Sequence, residues 1–193
     1  MGATCRARMV RPAPPRVLFI EDTVPLRHIG SGFVRSNDIV RAMAKLGYAV
    51  TVLPAGGYRH PLSNIHGDLP DTVEVMHDHD HTRLRDFLLQ RSGYYGTVWI
   101  GRTHNFRLIH PDLVSVQSAR IILDTEAIVA VRQAAKAELA GETFDFDSAL
   151  AEEFAGTEIC RALIAVNEKE AGFLRGLGRG NVHVIGHVRQ PEP

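Results

Sequence analysis

The sequence predicts an α/β fold: a doubly wound, mostly parallel sheet of about seven strands. Three observations predict it. Short apolar runs rich in β-branched residues recur along the chain, as strands buried on both faces require. Stretches with apolar residues at helical spacing separate them. The opening unit, residues 16–54, reads strand, glycine-bearing loop, helix, strand. Such a unit implies two parallel strands joined by a right-handed crossover.

Taken in order, Val17-Leu18-Phe19-Ile20 is the first strand. Ile39, Val40, Met43, Ala44 and Leu46 mark a helix that Gly47 stops. Val50-Thr51-Val52-Leu53 is the second strand, and the Gly-, Pro- and Asn-rich stretch over 55–71 reads as a loop. Val73 to Met76 form a short strand. A helix follows over 82–90, with Leu84, Phe87 and Leu88 on one face. After a turn at 93–96, Thr97-Val98-Trp99-Ile100 is a central strand. A helix over 104–118 is interrupted at His110-Pro111, because proline disfavours helical backbone in the residue before it.

Arg120-Ile121-Ile122-Leu123 is a buried strand ending at Asp124-Thr125. Asp and Thr can each cap the helix expected over 126–139. The loop GETFDFD leads to a helix over 148–160. Leu163 to Val166 form a strand, and Asn167 caps a helix over 168–177, with Glu170 at capping-box spacing. The last strand is Val182-His183-Val184-Ile185. Residues 1–15 are basic and contain Pro-Ala-Pro-Pro without the apolar core of a signal peptide, and are read as a disordered leader. Residues 16–186 form the domain. The proline-bearing end, 187–193, reads as the start of a linker to a further domain.

Bulk chemistry narrows the function. Lys plus Arg and Asp plus Glu each number 22, for a formal net charge of zero. The basic excess of a nucleic-acid binder is missing. No run approaches the ~20 apolar residues that span a bilayer, which does not bar peripheral contact with a membrane surface. Two cysteines, Cys5 and Cys160, give neither a disulfide framework nor zinc spacing, so a reducing cytoplasm is expected. Cys160 is expected as a buried thiol on an apolar helix face. His77-Asp78-His79-Asp80-His81 could ligate a metal from one strand face. The run joins a strand to a helix without a distant partner, so a solvated loop and no metal site are expected.

The opening unit admits several chemistries. A dinucleotide fingerprint needs G-x-G-x-x-G tight against the strand. Here Gly30 comes ten residues after Ile20, only Gly30 and Gly32 are present, and no acidic residue follows the second strand. A phosphoryl-receiver domain would use Glu21-Asp22 to hold a metal, but its phosphate-accepting Asp is missing. The central strand ends instead in Gly101-Arg102. A non-catalytic Rossmann-like or receiver-like binding or signalling module stays open as the alternative.

Four stretches, in order, resemble the N-terminal half of a GT-B glycosyltransferase of the family 4 type. They are RVLFIEDTVP with SGFVRSNDIVRAMAKLGYAVTVLP, SGYYGTVWIGRTHN, ARIILDTEAIVAVRQAAKAEL, and EICRALIAVNEKEAGFLRGLG with NVHVIGH. The resemblance implies a Rossmann-like half of a two-domain cleft. The whole enzyme would transfer a sugar from a nucleotide-sugar donor to a glycan, lipid or other acceptor, with retention of configuration. No cofactor or metal is implied beyond the donor itself. The missing C-terminal domain would hold most of the donor, so this half alone is expected to be inactive.

The resemblance also suggests site residues. Gly30, Ser31 and Gly32 can bring backbone N–H groups to a phosphate with little side chain in the way, near a helix N-terminus that favours an anion. Arg35 adds a positive charge there. The glycines equally suit a plain turn. Arg102 and His104, after the central strand, would face the acceptor side of the cleft, as would Asp124 and Thr125. Arg102 could pair with phosphate, and His104 and Asp124 could bind acceptor hydroxyls. No catalytic residue is assigned.

Overall fold

Strand β1 (Arg16–Glu21) buries every residue but its first, which only a strand covered on both faces can do. Its alternate residues feed two separate cores. Leu18 and Ile20 join one, Val17 and Phe19 the other. In the computed structural model, which describes residues 13–116 and 119–187, β1 lies inside a seven-stranded sheet. The other strands are β2 (Ala49–Pro54), β3 (Glu74–Val75), β4 (Thr97–Gly101), β5 (Arg120–Asp124), β6 (Ala162–Ala165) and β7 (Val182–Val184).

Every pairing is parallel, and the order is β3-β2-β1-β4-β5-β6-β7. The expected Rossmann-like α/β sheet is therefore present. Chain order reverses between β1 and β4, where Ile20 lies beside Ile100. That reversal is the place where open α/β sheets bind ligands.

Helix α1 (Ser31–Lys45) lays Ile39 and Val40 on the Val17–Phe19 side. On that side too, α2 (Leu62–Asp68) contributes Ile65. The opposite face carries α3 (Leu84–Gln90), α4 (Thr103–Ile109), α5 (Val129–Ala140), α6 (Phe146–Glu153) and α7 (Glu168–Gly176). Among the described residues no helix is long and apolar enough to cross a membrane.

Several boundaries differ from expectation, each for a local reason. Ser31 and Gly32 form the first turn of α1 rather than a loop, with extended Gly30 as its N-cap. Helix α2 lies in the stretch expected as loop. Its one buried residue, Ile65, gives no periodicity to detect. The helix expected over 104–118 is α4 followed by a 3₁₀ stretch, His110–Val116, because Pro111 has no amide to continue the ladder. Helix α5 starts at Val129 instead of Glu126, because Glu126 has a φ of 54°. Neither Asp124 nor Thr125 caps it.

The helix expected over 148–160 is α6 and a separate 3₁₀ turn, Thr157–Ile159, divided by Gly156 at φ 81°. Cys160 is extended rather than helical, and burial pushes its thiol up to about 12, which leaves it a poor nucleophile. The Asn167 cap is as expected, accepting the Glu170 amide at 2.9 Å. Most of the expected leader (1–12) and of the expected linker (188–193) lies outside the described residues.

Leu18 has no exposed surface and sits mid-sheet between Thr51 and Val98. Leu18→Ala is expected to cost about 2–5 kcal/mol, read as a lower urea midpoint at unchanged slope. A loss under about 1 kcal/mol would show that this strand is not in the core.

Candidate functional site

Three strand ends meet at the reversal. Glu21 ends β1 and Asp22 follows it, Arg102-Thr103-His104 follows β4, and Asp124 ends β5 with Thr125-Glu126 after it. The ends of β4 and β5 line a cavity of about 360 Å³ whose lip is the N-terminal turn of α1, and Glu21 and Asp22 hold Arg102 from behind that lining. Seven of the eight expected residues line it: Gly30, Ser31, Gly32, Arg35, Arg102, His104 and Thr125. Asp124 lies behind the wall, 1% exposed.

Arg102 organises the floor. Its Nε reaches Glu21 Oε1 at 2.8 Å and Asp22 Oδ2 at 3.1 Å, and its Nη2 reaches Glu126 Oε2 at 2.7 Å. These carboxylates outweigh the cost of part-burying the guanidinium and raise its pKa. The ring of Phe33 lies 4.9 Å from its Cζ. Arg102 and Glu126 are the non-glycine residues with positive φ among those described, 73° and 54°. Backbone strain of this kind persists where surrounding contacts impose it. Two glycines make room. A Cβ on Gly101 would stand 2.7 Å from Glu21 Oε2, and one on Gly32 would stand 3.1 Å from Arg102 Nη2.

Ser36 fixes the protonation of this cluster. Its Oγ lies 2.7 Å from Glu21 Oε2 and also bonds Glu126 Oε1. A hydroxyl has one proton to donate, so one of these carboxyls must carry a proton and donate to Ser36. Burial first, and the charge of Glu21 second, push Glu126 up to about 9. With the proton kept on Glu126, that acid donates to Ser36, and Ser36 donates to Glu21 Oε2.

Asp22 behaves oppositely. Burial pulls its pKa upward, but His104, Arg102 and Asn105 together outweigh that and leave it below the usual carboxylate range. Its Oδ1 lies 2.5 Å from His104 Nε2 and accepts Asn105 Nδ2 at 2.8 Å. His104 is thereby oriented while its side chain stays 60% exposed.

Behind the wall, Arg35 Nη1 donates to Asp124 Oδ2 at 2.8 Å. Its Nε and Nη2 donate to the Ile185 carbonyl at 3.0 and 2.8 Å. Burial pushes the Asp124 carboxyl up, and Arg35 opposes it. Thr125 donates its amide to Ile164 at 2.9 Å, while its buried hydroxyl has no partner among the described residues.

Sequence reasoning did not place Glu126, Arg132 or Phe33 in this site, and considered Glu21-Asp22 only as a metal-holding pair. The signal available was position, since acidic residues directly after β1 and β5 must sit at the sheet's carboxyl edge. The α5 cap was invisible, because it comes from distant Glu153, whose carboxylate accepts the Val129 and Ala130 amides, each at 2.9 Å. The His77–His81 run disperses. His77 contacts Asp78, His79 meets the Phe87 ring edge-on, and His81 bonds the Ala55 carbonyl. Among the described residues no group of three or more His, Cys, Asp or Glu has a metal-holding arrangement.

No known protein family matches the sequence, and no curated protein matches it. The fold matches solved structures, in 15 chains. One is the Phytolacca americana UGT2 complexed with UDP-2fluoro-glucose and pterostilbene, at TM-score 0.57 and 8% identity. The match covers 93% of this chain and 55% of that one, so this chain spans about half its length. At that identity the likeness is one of fold.

The Glu126 proton has a thermodynamic consequence. Between the usual carboxyl range and about 9, the folded chain keeps a proton that the unfolded chain has lost. Stability should therefore fall as pH rises through that window, by up to about 1.4 kcal/mol per unit. Glu126→Gln, which keeps a donor toward Ser36, is expected to flatten the slope in urea midpoints from pH 5 to 9. A wild-type midpoint that is level over that range would contradict the assignment.

Proposed function

We propose that residues 16–186 are the acceptor-side half of a GT-B glycosyltransferase of the family 4 type. In this reading a C-terminal donor-binding domain completes the cleft, and the whole enzyme moves a sugar from a nucleotide-sugar to a glycan, lipid or other acceptor in the cytoplasm. One observation carries it: a single cavity at the sheet reversal is lined by the open end of α1, by His104, which Asp22 holds from outside the lining, and by Thr125. The shared fold with a structure that contains a UDP-sugar analogue supports the same reading.

The chemistry follows from the geometry. Helix α1 has no side-chain cap and no acidic residue in its first turn, so its dipole and free amides favour a diphosphate. The neutral form of Glu126 keeps the adjacent floor from repelling that anion. As the glycosidic bond to the donor breaks, negative charge grows on the leaving diphosphate, and fixed dipoles stabilise it without reorganising. His104, aimed by Asp22, hydrogen-bonds the acceptor hydroxyl. The configuration at the anomeric carbon is retained, as the family resemblance implies, and half a cleft transfers nothing.

The test uses protein encoded by the frame continued past Pro193, assayed with a panel of labelled nucleotide-sugars. Transfer is expected from the longer protein and none from residues 1–193. In the longer protein His104→Ala should raise the acceptor KM about tenfold, the worth of one hydrogen bond, with a smaller change in kcat. Turnover by residues 1–193 alone would refute the division of labour. A longer protein that neither binds nor consumes any nucleotide-sugar would favour a binding module.

A further inference from the structure

A phosphate needs donors that are not already committed, and the two arginines nearest the α1 glycines are committed. Arg35 directs three of its nitrogens at Asp124 and the Ile185 carbonyl. Arg102 is held by Glu21, Asp22 and Glu126. Turning either toward a ligand would strand a buried carboxylate, Asp124 at 1% exposure or Glu21 at 0%. An uncompensated buried charge costs several kcal/mol.

Arg132 is different. It lines the same cavity from the first turn of α5, is exposed, and makes no ion pair among the described residues. The two helix ends at the cavity also differ. The α5 amides are closed by Glu153, whereas the Ser31 and Gly32 amides precede the first bond of α1, from Phe33 to the Gly30 carbonyl at 3.1 Å. A third observation is independent of both. The Thr125 hydroxyl, on a residue 1% exposed in the cavity wall, lacks a partner. Buried hydroxyls are normally satisfied, so a bound oxygen at this place would complete it.

We infer that Arg132, with the Ser31 and Gly32 amides, holds the phosphate of this cavity's ligand, and that Arg35 and Arg102 serve as its scaffold. Thr125 takes a further ligand oxygen. The ligand class is a phosphoanhydride or phosphate ester carrying hydroxyls, because Arg132 and the α1 amides favour an anion and the lining offers His104 and Thr125. The inference rests on the glycosyl-transfer reading of this site and names the residue that reading left unassigned.

The experiment titrates inorganic pyrophosphate, then UDP, into the 193-residue chain by calorimetry. Arg132→Gln is expected to weaken pyrophosphate binding about tenfold or more, the worth of one charge-assisted hydrogen bond. Arg132→Lys should recover part of the loss, since it restores charge without the planar fork. Thr125→Val, close in shape, should weaken binding several-fold. Arg175→Gln removes the same charge from a residue outside the cavity lining, where Arg175 pairs with Glu168, and should leave binding unchanged. Thermal midpoints check that each variant is folded.

Wild-type affinity in Arg132→Gln, equal losses in Arg132→Gln and Arg175→Gln, or no saturable pyrophosphate binding to the wild type would each overturn the inference. Pyrophosphate binding through Arg132 in a longer protein that moves no sugar would sustain it while refuting glycosyl transfer. Transfer with a donor KM unaffected by Arg132→Gln would do the reverse.

Discussion

Arg102 has one guanidinium, and carboxylates from the ends of β1 and β5, the strands on either side of its own β4, converge on it. Glu21 is fully buried and Glu126 nearly so, which neither could be as isolated anions. The single cation between them makes both burials tolerable, and one retained proton supplies the remaining balance. Much of the local anatomy follows from that arrangement. Gly101 and Gly32 lack side chains because the Glu21 carboxylate and the Arg102 guanidinium take the space. Arg102 and Glu126, the two residues with positive φ, are joined to each other by the same ion pair.

The same arrangement separates structural charge from available charge. A count of arginines around the cavity suggests a strongly positive pocket. Their partners show that most of this charge is neutralised within the protein, so electrostatic character here is set by connectivity rather than composition. His104 illustrates the other side of that division. It is fixed by Asp22 yet keeps an open face, so its orientation is determined without its hydrogen-bonding capacity being exhausted.

Much of the fold could be read from the sequence because it depends on local patterns. Val17 to Ile20, Thr97 to Ile100 and Leu163 to Ala165 are runs that only a doubly covered strand can bury, and Asn167 with Glu170 announces its helix directly. The edge where the candidate cavity lies was legible for the same reason, since residues after strands in a parallel sheet gather at one edge. Partner identity was not legible. Arg35 finds Asp124 across 89 positions, Arg102 finds Glu21 across 81, and Glu153 caps a helix that begins 24 residues earlier. Such pairings follow from strand order, which no window of sequence contains. Start points failed for a related reason, as at Glu126, where a distant ion pair overrides the local preference for helix.

The bond from Arg35 to the Ile185 carbonyl bears on how the chain carries mechanical load. β7 is a three-residue edge strand, which on its own ladder would be an easily peeled end. Arg35 grips the backbone just beyond it with two nitrogens, and the same guanidinium is anchored to Asp124 at the end of β5. Tension on the chain beyond residue 187 is thus shared between the edge ladder and a buried arginine on α1. Part of that force is delivered to the helix whose open end forms the lip of the cavity, so α1 and the chain's exit from the sheet are coupled as one mechanical element.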